Sequence, residues 1–251
     1  MWKFLYSLAS PKLFYRFSGR LSALCYVLSI VLFSVGLVWG LFYAPMDYQQ
    51  GDAFRIIYLH VPAAFLSMFI YGFMTFLAIL LTIWRIKIAG IMLKNAALIG
   101  AWMTFIALIT GSIWGKPMWG TWWIWDARLT SELVLLFIYI GMLALFNAVS
   151  NYDKALRLMA FMTFIGVLDL PIIHYSVYWW NTLHQGQTLT VFEKPKIASA
   201  MLYPLLIMIG AFMSYFVALV LDRARNELLW RDKKSRWVKA ILEREALWPM
   251  G

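Results

Sequence analysis

The 251-residue chain is 63% hydrophobic and only 14% charged, with a formal net charge of +10. That composition excludes an ordinary globular domain and places the chain in the integral membrane class. Its cations flank apolar stretches, so anionic lipid headgroups, not nucleic acid, are the expected partner of the basic excess.

A bilayer core of about 30 Å needs about 20 apolar residues per helix. Six stretches qualify, at 21–43, 58–84, 96–113, 133–149, 158–175 and 198–221, and the connections are too short to fold separately. The chain therefore reads as one all-α membrane domain, 1–251, with six transmembrane helices. The first stretch is too long for a signal h-region and has no small-residue cleavage site after it, which predicts an uncleaved first span. Within that stretch lies the one cysteine, Cys25, expected as a small buried residue and unable to form a disulfide inside one chain. The fifth stretch is the weakest, because Asp169 and Pro171 interrupt it.

Lysine and arginine placement sets the orientation. One side carries Lys3, Lys12, Arg16, Arg20, Arg85, Lys87, Lys94, Lys154 and Arg157, then eight more in the C-terminal segment. That is seventeen of the 22 cations, and the other side has only Arg55, Lys116, Arg128, Lys194 and Lys196. Both termini are thus expected in the cytoplasm. The tail, 222–251, mixes both charge signs with apolar residues at helical spacing, as in an amphipathic helix on the membrane or on a cytoplasmic partner.

Three segments are predicted to meet outside. The first enters the second span as Arg55-Ile-Ile-Tyr-Leu-His60-Val-Pro62. A regular helix from near Pro62 to Trp84 rises roughly 33 Å, one membrane thickness, which puts His60 at its outer mouth. The second, 114–132, reads WGKPMWGTWWIWDARLTSE and holds five tryptophans in nineteen residues. Gly111, Gly115, Pro117 and Gly120 predict irregular backbone here. An aromatic belt needs one or two rings per helix end; this density suits a platform for a large flat apolar ligand. Thr130 or Ser131 is expected to cap the next helix, with Glu132 in its first turn complementing the dipole. Asp126 and Arg128 either pair with each other or leave Arg128 for an anionic ligand group. The third segment, from Asp169 to Gly186, supplies His174 and His184 with Trp179 and Trp180. All three histidines of the chain therefore fall at the outer face.

Zinc fits poorly, since no His-x-x-x-His pair or usable cysteine is present. No serine or cysteine lies in a recognisable nucleophile context. Two imidazoles from different spans across an aromatic floor match the axial positions of haem iron. Arg128, Arg55 and Lys116 are candidates for its propionates.

Trp119-Gly120-x-x-Trp123-x-Trp125-Asp126 resembles the tryptophan-rich "WWD" motif of the haem-handling proteins of cytochrome c maturation. The six-span length, both histidine segments and the run WGTWWIWDARLTSELVLL look most like the CcmC family. Larger relatives tend to carry Tyr before the middle Trp and Pro-Lys after the Asp, where this chain has Trp122 and Ala127-Arg128. The resemblance implies a non-enzymatic haem-handling subunit of the bacterial inner membrane that holds haem b at the outer face. It implies delivery to the periplasmic haem chaperone CcmE, within an ABC-type complex of CcmA, CcmB and CcmD. It also implies axial ligands His60 and His184, and a haem and chaperone surface of Trp114, Trp119, Trp122, Trp123, Trp125, Asp126 and Arg128. His174 matches no ligand position and is expected either to be structural or to support a ligand from behind.

Two rival readings were open on residues alone. A b-type cytochrome or quinone oxidoreductase needs deeper histidine pairs, and none exists. A transporter with an aromatic outer vestibule is expected to carry ionisable residues near the midplane, and Asp169 is the only strong candidate.

Overall fold

The computed structural model describes residues 10–180, 182, 184 and 197–246. Lys3, Lys194, Lys196 and Gly186, and the tail beyond 246, lie outside the described residues. So does the side chain of Arg244. Six helical stretches are long and apolar enough to cross a membrane, and no strand is present among the described residues. The six coincide with those read from hydropathy, but most run further at one or both ends.

α1 (Pro11–Val38) continues through a wide turn, Trp39–Tyr43. Its buried residues are Ser18, Ser22, Ser29 and Gly36, all small. Lipid tails are as apolar as leucine, so close backbone approach and interhelical hydrogen bonds, not burial of apolar bulk, join such helices. α1 accordingly lies along α7 (Ser199–Arg231). Ser29 Oγ donates to the Ala211 carbonyl at 3.0 Å, and a Cβ on Gly36 would stand 2.7 Å from Met208 Sδ. Its large side chains, Leu24, Val27, Ile30 and Val31 among them, face outward. Cys25 is only partly buried, a correction to its expected core position.

α2 (Ile57–Ile83) follows a tight turn, Asp52–Ile56. The helix begins five residues before Pro62, so His60 lies inside its first turn and not in the chain leading to it. Arg55 explains the early start. Its Nη1 donates to the carbonyls of Gly40 and Ala44, at 2.8 and 3.1 Å, and its Nε to Asp52 at 2.8 Å. The end of the α1 turn and the start of α2 are thereby tied together.

α3 (Lys87–Trp119) is the most enclosed span and packs chiefly on α2. Its 33 residues amount to about 50 Å at about 1.5 Å each, longer than a bilayer core. The expected irregular backbone from 114 is therefore corrected: the helix passes Gly111, Gly115 and Pro117. It stops at Gly120, whose φ of +75° makes the left-handed C-terminal cap. Only Gly120 to Asp126 is non-helical before α4 (Ala127–Ala148).

The fifth span is two helices, α5 (Tyr152–Gly166) and α6 (Asp169–Trp179). The break falls at Val167 and Leu168, where Leu168 N–H and Leu170 N–H bond only three residues back. Pro171 then sits in the first turn of α6, where its missing N–H costs no helical bond. α7 runs beyond 221 to Arg231, so the separate amphipathic segment is shorter than 222–251 and begins with α8 (Arg236–Ala246). The start of α1, the end of α7 and α8 share one end of the bundle: Arg225 lies 4.4 Å over the Tyr15 ring, and Tyr15 packs on Trp237. This basic end is opposite the tryptophan end.

Candidate functional site at the tryptophan end

A cavity of about 270 Å³ opens between α2, α3, α4, α6 and α7. Its apolar lining includes Phe65, Met68, Ile173, Leu205 and Ile209. Its polar and aromatic lining is Gln50, His60, Trp114, Arg128, Glu132, His174 and His184. The two histidines implied as a pair come from segments more than a hundred residues apart and meet on this one wall.

Each imidazole has a defined tautomer. His60 Nδ1 lies 3.1 Å from the Ala107 carbonyl and 3.1 Å from Thr110 Oγ1. The Thr110 hydroxyl proton goes to the carbonyl of Ile106 at 2.7 Å, so both neighbours present lone pairs and Nδ1 must carry the hydrogen. Gly111 makes room for the ring, since a Cβ there would stand 3.1 Å from His60 Cε1. His184 Nδ1–H donates to Asp126 Oδ2 at 2.9 Å. In both rings Nε2, the remaining coordinating nitrogen, bonds no other described residue. A neutral imidazole with Nδ1 held in this way presents Nε2 as its electron-pair donor.

Asp126 is the cap of α4, a correction to the expected Thr130 or Ser131. Its Oδ1 accepts from Leu129 N–H at 2.8 Å. Its Oδ2 accepts from His184 and from the Thr182 hydroxyl. Burial alone raises this carboxyl, but donation by His184, Thr182 and Leu129 outweighs it and holds the group at about 2, below its ordinary 3.8. Asp126 therefore serves the helix and the histidine, and it makes no ion pair with Arg128. Glu132 is not in the first turn of α4; it is buried on the cavity wall and accepts from Ser67 Oγ at 2.7 Å.

The five tryptophans of the run separate by position. Trp114 borders the cavity, and its Nε1 donates to Gln50 Oε1 at 2.9 Å. Gln50 is held by a turn in which Asp47 accepts from the backbone of Gln49 and Gln50. Trp119 meets His184 edge-on, with ring centroids 4.8 Å apart. Trp122 and Trp125 are 57% and 77% exposed and border no part of the cavity. Trp123 packs on Trp125, and its buried Nε1 has no partner among the described residues.

Of the three candidate cations, Arg55 is engaged by backbone carbonyls and Lys116 donates to the Gly120 carbonyl at 3.0 Å. Arg128 alone borders the cavity, and it forms no ion pair with a described carboxylate. His174 is exposed at the rim, packed on Tyr175. Gln50, Thr110, Gly111, Glu132 and Thr182 had not been read as site residues. Two of these carry a signal in the sequence: Gly111, which predicts a helix break three residues before Trp114, and Glu132, which predicts a dipole partner of the next helix.

Fold and site together define a multi-pass helical membrane protein with a paired-imidazole cavity at one end of its bundle. The heme exporter protein C (CcmC) family model matches residues 4–239, and the chain belongs to that family. It is 51% identical to heme exporter protein C of Haemophilus influenzae, over 97% of this chain and 99% of that protein. It is 49% identical to the Escherichia coli K12 protein of that name, over 96% and 98%. The Bradyrhizobium diazoefficiens protein of the same name is 44% identical, over 92% and 88%.

Proposed function

We propose that this chain holds haem at the tryptophan end of its bundle and presents it to a periplasmic haem chaperone of the CcmE type. The observation that carries this reading is the pair of histidines on one cavity wall, each with Nδ1 committed to an acceptor and Nε2 without a described partner. The names of the relatives, heme exporter protein C, supply the cargo.

In this reading His60 and His184 are the axial ligands of the iron, which is the metal centre that haem b brings to the site. Trp114 and Trp119 flank the ligand, and Arg128 has its guanidinium available for a propionate. Trp122 and Trp125, exposed beside the site, suit an aromatic contact with the chaperone. The chain performs no chemistry of its own; binding, orientation and release are its work. The cation asymmetry supports a tryptophan end facing the periplasm and both termini in the cytoplasm. CcmA, CcmB and CcmD are the proposed companions in the inner membrane.

The test is a spectrum of the protein purified in detergent from haem-replete cells. The wild type is expected to carry a low-spin haem band, and the His60→Ala, His184→Ala double variant to lose it. A protein with no haem band, or a band unaffected by that variant, removes the proposal. The assignment of His174 is tested alongside: His174→Ala is expected to keep its haem.

A further inference from the structure

A helix cap needs one oxygen, yet Asp126 uses both. Oδ1 caps α4, while Oδ2 receives His184 Nδ1–H and the Thr182 hydroxyl. Thr182 Oγ1 accepts in turn from His184 N–H at 3.1 Å. Carboxylate, hydroxyl, backbone and imidazole form a closed ring of hydrogen bonds. The carboxylate and the imidazole are nearly enclosed, the two side chains being 7% and 12% exposed, so water competes little for these contacts. Capping does not account for the Oδ2 half of this arrangement.

We infer that Asp126 is the positioning residue for His184, with Thr182 as its second anchor. It sets which nitrogen of His184 is presented and in what direction, and it raises the basicity of that nitrogen. The inference rests on the reading of His184 as an iron ligand and extends it. A more basic ligand favours ferric over ferrous iron. Asp126 is also the last residue of the non-helical tryptophan loop, so a partner that shifts this loop shifts the support of His184.

Asp126→Asn separates the two roles. Asparagine caps helices as well as aspartate, but it removes the charge and one acceptor from His184. Thr182→Val removes the second anchor and leaves the α4 cap alone. In a redox titration of haem-loaded protein, Asp126→Asn is expected to weaken ferric relative to ferrous binding about tenfold, a rise of about 59 mV for one electron. Thr182→Val is expected to move the potential the same way by less. In haem-free protein, amide exchange of the peptide containing His184 is expected to quicken about tenfold in Asp126→Asn, as loss of a charge-assisted bond implies, while α4 exchanges as in the parent. A parent that binds haem, with potential and exchange unchanged in both variants, would reduce Asp126 to a cap and overturn the inference alone. A parent without haem would overturn both the inference and the reading beneath it.

Discussion

The two ends of the bundle use polar side chains in opposite ways. At the basic end, Glu227 of α7 accepts from Lys94 at 2.9 Å, from Asn95 at 2.8 Å and from the Tyr152 hydroxyl. Arg231 lies 3.9 Å over the Tyr152 ring and donates to Asp153. The donors and acceptors around Glu227 satisfy each other and join α3, α5 and α7, although buried Arg225 Nε and Ser235 Oγ have no hydrogen-bond partner among the described residues. At the tryptophan end α3 and α7 instead border a cavity with α2, α4 and α6, and the His60 and His184 imidazoles and the Arg128 guanidinium keep nitrogen atoms without a described partner. A protein that leaves such groups uncommitted gives up stability at that end. What it gains is a place for a ligand to complete the set, so the ends read as anchor and receptor.

Substitutions can test that division, beginning with the largest effect. Replacing His60 or His184 singly by Ala is expected to weaken haem retention by a hundredfold or more, at the upper end of the 10–100-fold typical even for a ligand's supporting contacts. Thermal stability of the haem-free protein should scarcely change; a large loss would mean that the receptor end also anchors the fold. Glu227→Ala is expected to do the reverse. It strands a partly buried lysine, an asparagine and a tyrosine, costing about 2–4 kcal/mol in unfolding measurements, with haem affinity within twofold of the parent. Arg128→Gln should weaken haem binding by about 1.5–3 kcal/mol, the range of a charge-assisted hydrogen bond, as read by haem titration. Gly111→Ala is a finer probe: the new methyl must displace the His60 ring by a few tenths of an ångström. A several-fold faster haem loss with an unchanged melting curve is expected, since only ligand geometry is disturbed.

The smallest effect concerns pH. Because the Asp126 carboxyl is held at about 2 in the folded chain, below its ordinary 3.8, its contribution is fully present above about pH 4. It is lost only as pH falls through about 2. The pH dependence of haem release between pH 5 and 7 should therefore be the same in the parent and in Asp126→Asn, whatever the difference in absolute rate. A pH-dependent difference in that window would place another titrating group beside the Asp126–His184 pair.

Much of the site was legible in the sequence because it rests on scarcity. Three histidines and a tryptophan run stand out in any reading of this chain, and span counting places them at one end. The misreadings had local causes. Gly111, Gly115 and Pro117 look like helix breakers, and in an isolated peptide they are. Here Gly111 is small to admit the His60 ring, Gly115 to admit Trp119, and the first glycine that turns the chain is Gly120. Thr130 and Ser131 are good capping types, but Asp126 precedes them and closes α4 first. Glu132 looked like a dipole partner because its burial against Ser67 of α2 is invisible along the chain.

By itself, the sequence determined the number of spans, the end of the bundle that gathers the cations, and the residue types available for coordination. Those properties follow from local hydropathy and from counting. Tertiary structure alone decided that Trp114 reaches the cavity while Trp122 and Trp125 do not, that Arg55 is engaged while Arg128 is not, and that Asp126 holds His184. Each depends on helices distant in sequence meeting at a particular rotation and depth. Apolar spacing leaves that rotation open in a membrane, where every face of a helix is hydrophobic; small residues and buried hydrogen bonds select it.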